Sequence, residues 1–264
     1  MGVVNVTPDS FSDGGRHVQA EAAIARGLAL FEAGADLVDV GGESTRPGAA
    51  RVEAEEEIQR VVRVVRGLRR AGTGPISVDT TKAAVAREAL DAGADLVNDV
   101  SGFRFDRDLA PLVAARGVAA VVMHLRGDFE TMHSAPRYSD VMGEVVAELE
   151  EALRRGEDAG VPRERMIVDP GIGFAKDAAH SLEVMRRLPE LDRLDRPVLV
   201  GPSRKSFLGK ALGGLPPGDR LLGTAAAVAA AVMAGAHLVR VHDVAEMVQV
   251  VRVCDAIRSA GERP

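Results

Sequence analysis

Lysine and asparagine are nearly missing from this chain, with four Lys against 29 Arg and only two Asn. When a residue type is this scarce, its few copies mark positions where substitution has not been free. Both asparagines, Asn5 and Asn98, fall at the ends of expected strands, and Lys82, Lys176 and Lys205 fall just after strand-like runs. Surface or capping roles are the competing reading for each. Cysteine occurs once, as Cys254, within an apolar helical pattern. That excludes an intrachain disulfide framework, suits a reducing cytosol, and reads as a small core residue rather than a nucleophile. No apolar run is long enough to cross a bilayer: the longest, 221–236, is half alanine and is interrupted by Gly223 and Thr224. No cationic stretch followed by an apolar one opens the chain, so a cytoplasmic location is expected, without a signal peptide. Positive charge is not in excess either. The net charge of −6 disfavours a nucleic-acid surface while leaving room for a local basic pocket that takes an anion.

What is present is apolar and repetitive. The 264 residues are 46% hydrophobic, enough for a sizeable core. Three near-copies stand out: Ala33-Gly-Ala-Asp-Leu-Val38, Ala92-Gly-Ala-Asp-Leu-Val97 and Ala234-Gly-Ala-His-Leu-Val239. Each reads as a helix ending in glycine followed by a short apolar strand, the αβ half of a βα repeat. Strands are expected at 3–6, 37–40, 76–78, 96–97, 118–123, 166–168, 198–200 and 238–241. Helices are expected at 20–33, 53–71, 81–92, 107–116, 139–159, 178–188, 218–234 and 245–259. If the copies precede strands 2, 4 and 8, each unit is about 33 residues long, the size of a βαβ step. A doubly wound open sheet would carry a G-x-G-x-x-G turn after strand 1, and Asn5-Val-Thr-Pro-Asp-Ser-Phe-Ser-Asp-Gly-Gly15 is not one. The expected architecture is therefore α/β, a (β/α)8 TIM barrel forming one domain over residues 1–264, with its site at the C-terminal ends of the strands.

Reading along that face separates two groups of polar residues. Asp79, Asn98 and Asp169 follow middle strands. Two carboxylates and an amide suit a flat, donor-rich heterocycle, because each carboxylate accepts two N–H bonds and the amide matches a mixed edge. Arg240, His242 and the Arg46 loop bring positive charge and donors, and barrels often bind phosphate after strands 7 and 8. Asn5, beside strand 8 once the barrel closes, offers an oxygen to a Mg2+ held mainly by phosphate oxygens. The residues thus describe a polar heterocycle bearing phosphate or diphosphate. Structural readings compete with each of these. Asp79 sits where it could cap the next helix, His124 reads as a satisfied core histidine, Asp99 and Asp243 as partners of neighbouring arginines, and Asp169-Pro-Gly-Ile-Gly173 as a turn.

Seven motifs, in order along the chain, carry a resemblance. They are 5–15, Gly42-Glu-Ser-Thr-Arg-Pro-Gly48, Ser77-Val-Asp-Thr80, Asn98-Asp-Val-Ser101, Asp169-Pro-Gly-Ile-Gly-Phe174, Ser203-Arg-Lys-Ser-Phe207 and Arg240-Val-His-Asp243. Together the chain resembles the dihydropteroate synthases. The resemblance implies a transferase of folate biosynthesis that condenses a dihydropterin methyl diphosphate with 4-aminobenzoate, using Mg2+, in a homodimer. It implies that Asp79, Asn98, Met123, Asp169 and Lys205 bind the pterin. Asn5, Thr45, Arg46, Arg240 and His242 would hold the diphosphate, with Asn5 also on the metal. Thr45, Pro47, Phe174 and Ser206 would meet aminobenzoate. Asp13, in the first loop, joins Asp79, Asp169 and Lys205 as catalytic. One departure is Ala175, where the family commonly has glycine. Two other readings compete with this one. The pterin-dependent methyltransferases share the Asp/Asn face but do not need Thr-Arg-Pro or Ser-Arg-Lys-Ser. A non-catalytic pterin-binding relative would be expected to lose Asn5, Asp13, Arg46 or Lys205.

Overall fold

The computed structural model describes residues 1–6, 15–44, 51–132 and 137–261. Eight short strands alternate with helices. The strands are β1 (Gly2–Asn5), β2 (Val38–Gly41), β3 (Ile76–Asp79), β4 (Leu96–Asp99), β5 (Ala119–Met123), β6 (Met166–Asp169), β7 (Leu199–Val200) and β8 (Leu238–Val239). The first six form one parallel sheet in chain order, and β7 pairs in parallel with β8. Bridges from Val168 to Val198 and from Gly2 to Val241 join the two pieces, so the ring closes as a (β/α)8 barrel.

The helices are α1 (Gly15–Glu32), α2 (Ala54–Arg70), α3 (Ala83–Asp91), α4 (Leu109–Arg116), α5 (Val141–Asp158), α6 (Ala178–Arg186), α7 (Ser206–Ala211), α8 (Leu221–Met233) and α9 (Val244–Arg258). The eight helices expected from the sequence are thus joined by one more, α7. It buries Phe207 and Leu208 and stops ahead of Gly213 and Gly214. The helix expected from 218 begins at Leu221, because Pro217–Asp219 forms a 3-10 turn. Strand 8 is also shorter than expected, since Val241 makes only the closing bridge.

Side chains alternate between the two faces of each strand. Outward positions such as Val38, Val40, Ile76, Val78, Val97, Ala120, Val122 and Val168 pack against the helices in the main core. Inward positions fill the barrel. Its lower layer is a small apolar plug of Met1, Leu96, Val121 and Leu199, edged by Leu37, Ala119, Ile167 and Leu238. Two residues further along, the inward positions after Leu37, Leu96, Ile167 and Leu238 are polar (Asp39, Asn98, Asp169 and Arg240), and the candidate site begins there.

Candidate active site

Strand register sets the floor of the site. Asn5 pairs with Gly41, Gly41 with Asp79, and Asp79 with Asn98, so these four residues form one row across β1 to β4. Met123 pairs with Asp169 on the next two strands. Gly41 matters to this row, because a Cβ there would lie 3.4 Å from Asp79 Cβ and 3.6 Å from its Oδ2. Its absence leaves the Asp79 carboxylate room to turn inward. The row opens into a cleft lined by Asp79, Asn98, Met123, Asp169, Phe174, Lys205, Arg240 and His242, together with Val100, Ile172, Gly201 and Ser203.

Asp39, one inward step below Gly41, organises the polar floor. It is fully buried. Its Oδ2 accepts from Arg240 Nε at 2.6 Å and from Asn98 Nδ2 at 3.0 Å. Arg240 Nη2 donates to Asp79 Oδ2 at 2.8 Å. One arginine therefore ties two strands, and Asn98 is left with its carbonyl oxygen and one N–H for a ligand. Burial alone would lower the Arg240 pKa, but Asp39 and Asp79 more than offset it and hold the guanidinium above its ordinary value. The Asp79 carboxyl is raised, first by burial and then by the Asp39 charge. Asp169 accepts the Gly171 N–H at 2.7 Å, yet burial pushes its carboxyl up to about 6. Burial and the Arg240 charge bring Lys205 down to about 8. Its Nζ stands 4.0 Å from the centre of the Phe174 ring, a cation–π contact. A cleft whose acids are raised and whose lysine is lowered is poised to take a charged, donor-rich ligand.

Eight of the residues named from the sequence therefore meet in one cleft: Asp79, Asn98, Met123, Asp169, Phe174, Lys205, Arg240 and His242. Asn5 lies exposed at the end of β1, in the same row as Asp79. Ser206 is exposed as the first residue of α7, following Lys205. Asp13, Thr45, Arg46 and Pro47 lie outside the described residues. The competing structural readings also resolve. Asp79 does not cap α3; Asp106 accepts from Ala83 N there, at 2.7 Å. Asp99 accepts from the backbone of Ser101 and Phe103 rather than from an arginine, whereas Asp243 does pair with Arg204. His124 is indeed a buried, satisfied histidine.

The sequence reading gives no site role to Asp39 or to Ser203, although Ser203 opens the 203–207 motif. Ser203 Oγ lies 3.0 Å from His242 Nδ1 and accepts from His242 N, so it orients that imidazole. The signal for Asp39 was available: it is an acid inside the apolar run 37–40, two residues before Gly41, and so on the same face. Three of the four lysines have specific tasks. Lys82 contacts Glu43 and Glu57, Lys176 contacts His124, and Lys205 faces Phe174. Among the described residues, no group of three or more His, Cys, Asp or Glu could hold a metal ion. No helix among them is long and apolar enough to cross a membrane.

Residues 1–242 match the family of pterin binding enzymes. The chain is 45% identical over 257 residues to the dihydropteroate synthase of Synechocystis, covering 97% of this chain and 89% of that one. A crystal structure of the Xanthomonas albilineans dihydropteroate synthase with 4-aminobenzoic acid superposes with a TM-score of 0.91 at 47% identity, covering 98% of this chain and 92% of the other. A second structure of that enzyme, in complex with 7,8-dihydropteroate, gives a TM-score of 0.87 at 44% identity, covering 98% and 93%.

Proposed function

Because the chain belongs to the pterin binding enzyme family, alongside the dihydropteroate synthases, we propose a division of labour within its cleft. The chain is a transferase of folate biosynthesis. It condenses (7,8-dihydropterin-6-yl)methyl diphosphate with 4-aminobenzoate, giving 7,8-dihydropteroate and diphosphate. Asp79, Asn98 and Asp169 read the pterin edge, with Met123 against the ring and Lys205 over it. The observation that carries this reading is the inward row of Asp79 and Asn98 above Asp39, with Asp169 completing the cleft. Arg240 and His242, steadied by Asp39 and Ser203, take the diphosphate. Thr45 and Arg46 join them. Phe174, Ser206, Thr45 and Pro47 meet the aminobenzoate, and Asp13 acts in catalysis with Asp79, Asp169 and Lys205.

The bond between the pterin methylene and the diphosphate oxygen breaks first, leaving a cation that the ring delocalises. Asp169 and Asp79 oppose that positive charge, while Arg240 and His242 stabilise the charge of the leaving diphosphate. The aminobenzoate nitrogen then bonds to the methylene and sheds a proton. No residue here is required as a covalent nucleophile. Asn5 fits Mg2+ as a hard oxygen donor, with the diphosphate oxygens supplying other ligands; bound there, the ion adds Lewis-acid charge neutralisation at the leaving group.

We further propose that residues 1–264 form one domain, that the enzyme is cytoplasmic, and that it works as a homodimer. Exposed Leu222 and Met233 on α8, and Val253 and Ile257 on α9, support the last of these. The test is diphosphate release. It should require both substrates and Mg2+, and Asp169→Asn should lower it by at least about 100-fold. Unchanged turnover in that variant would end the charge argument. No observation favours pterin-dependent methyl transfer or binding without catalysis.

A further inference from the structure

Among the described residues, Lys176 is the one buried cation that the chemistry above does not use. It is 6% exposed and does not line the cleft. Its ammonium has three hydrogens and meets three acceptors: His124 Nδ1 at 2.7 Å, Gly171 O at 3.2 Å and Phe174 O at 3.1 Å. Two of these are carbonyls of the segment between β6 and α6, whose Ile172 and Phe174 side chains line the cleft. The third belongs to the residue after Met123. Because His124 Nδ1 accepts from the ammonium, its Nε2 carries the hydrogen and donates to Glu148, 3.1 Å away on α5. Glu148 is held in turn by Arg126 Nε at 2.7 Å. Arg126 lies over the Tyr138 ring, and Tyr138 donates to Ala175 O at 2.8 Å. The segment 171–175 is thus tied from two sides. Ala175, in a left-handed conformation at φ +46, brings the chain round to Lys176.

We propose that Lys176 is a positioning residue for the aminobenzoate side of the cleft. Its ammonium fastens the Gly171 and Phe174 carbonyls to His124 and sets the Phe174 ring against Lys205, so the grip on aminobenzoate requires the protonated lysine. This rests on reading Phe174 as an aminobenzoate contact. A neutral amine has two hydrogens for the same three acceptors, so one buried acceptor then goes without a donor. His124 does not take over, since burial and the Lys176 charge hold it near 4 and therefore neutral.

The groups facing Lys176 are Asp169 from β6 and Glu148 from α5, which favour the ammonium, and Arg126 and Lys205, which oppose it. Burial outweighs them all and brings the lysine down to about 7. The grip on aminobenzoate should therefore weaken as pH rises through neutrality.

The test is steady-state kinetics with each substrate varied, between about pH 6 and pH 8.5, on wild type, Lys176→Met, His124→Leu and His124→Asn. At the acidic end, Lys176→Met, which removes all three of these hydrogen bonds, should raise the aminobenzoate KM at least about tenfold. The pterin diphosphate KM and kcat should stay within about twofold. The wild-type rise in aminobenzoate KM near pH 7 should vanish in this variant, while any change from Lys205 at higher pH persists. His124→Leu, which removes an acceptor, should move the rise to lower pH. His124→Asn, whose Oδ1 replaces Nδ1, should restore it, and this pair decides the matter if Lys176→Met does not fold. An unchanged aminobenzoate KM in Lys176→Met, an equal rise in both KM values, or a pH dependence common to all variants would overturn the proposal. A wild-type enzyme that forms no dihydropteroate would instead overturn the functional reading beneath it.

Discussion

Arg240 and Asp39 meet across 201 residues of chain, Nε to Oδ2 at 2.6 Å, beneath the floor of the cleft. The contact joins β2 to the end of β8 and holds Asn98 through the same oxygen. It is a buried charge pair whose value depends on both partners being present. Asp39→Asn should cost about 3 kcal/mol, at the low end for breaking a buried pair because Arg240 keeps some exposure. That corresponds to a melting temperature lower by roughly 5–10 °C. Calorimetry checks this, and a melting temperature within a degree or two of wild type would remove Asp39 as the organiser of the floor.

Pterin binding should fail on the acidic side. The Asp169 carboxyl is raised to about 6 in the free enzyme by burial. A protonated acid cannot accept two N–H bonds, so affinity for a pterin should fall about tenfold per pH unit below that value. The same shift carries a stability sign. The folded pKa lies above the unfolded one, so this group's contribution is fully present below the unfolded pKa. It is lost as pH rises through about 6, until a pterin restores it by supplying donors. Titration calorimetry with a pterin checks the slope, and Asp169→Asn should flatten it. A flat wild-type profile would contradict the assignment.

The turn after β6 should reject a side chain at Gly171. A Cβ there would stand 2.1 Å from the His124 carbonyl oxygen, and the residue has φ +65. The nearest atom belongs to backbone, which has no flexible end to swing aside, so Gly171→Ala should destabilise the fold by about 2 kcal/mol or more. Because Ile172 and Phe174 follow directly, the aminobenzoate KM should rise as well. Denaturant titration and kinetics measure the two effects, and a variant unchanged in both would show the turn to be adaptable.

Lys82 joins two acids, Glu43 after β2 and Glu57 on α2. Its Nζ reaches Glu57 Oε2 at 2.5 Å, Glu43 Oε2 at 2.9 Å and Val52 O at 2.7 Å. Glu57 is fully buried. Lys82→Met should therefore cost about 3 kcal/mol by stranding a carboxylate, and Lys82→Met with Glu57→Gln should recover part of that loss. A double-mutant cycle on unfolding free energy reads the coupling, and strict additivity of the two changes would deny it.

Much of this is legible in the sequence. The Ala-Gly-Ala-x-Leu-Val copies located β2, β4 and β8 because a glycine-terminated helix followed by an apolar strand is a local pattern. Asp79, Asn98, Asp169 and Arg240 were legible because barrels place their ligands just after strands. Asp39 was not read, since a four-residue strand is too short for its alternation to stand out from a Val-rich run. Ser203 stands out only as the start of the 203–207 motif, and Lys176 only as one of four scarce lysines. Their partners, His242 and His124, are 39 and 52 residues away.

The sequence by itself determined the order of strands and helices, the apolar faces that pack them, and which polar residues reach the strand ends. These follow from local propensity and from the period of the hydrophobic pattern. Tertiary structure alone decided how those residues act on one another. Register put Asn5, Gly41, Asp79 and Asn98 in one row, and closure of the barrel brought Arg240 onto Asp39 and Asp79. Burial then moved Asp169 and Lys176 toward neutrality. The physical reason is that charge interactions depend on distance and on exclusion of water, and neither exists until the ring of strands has closed.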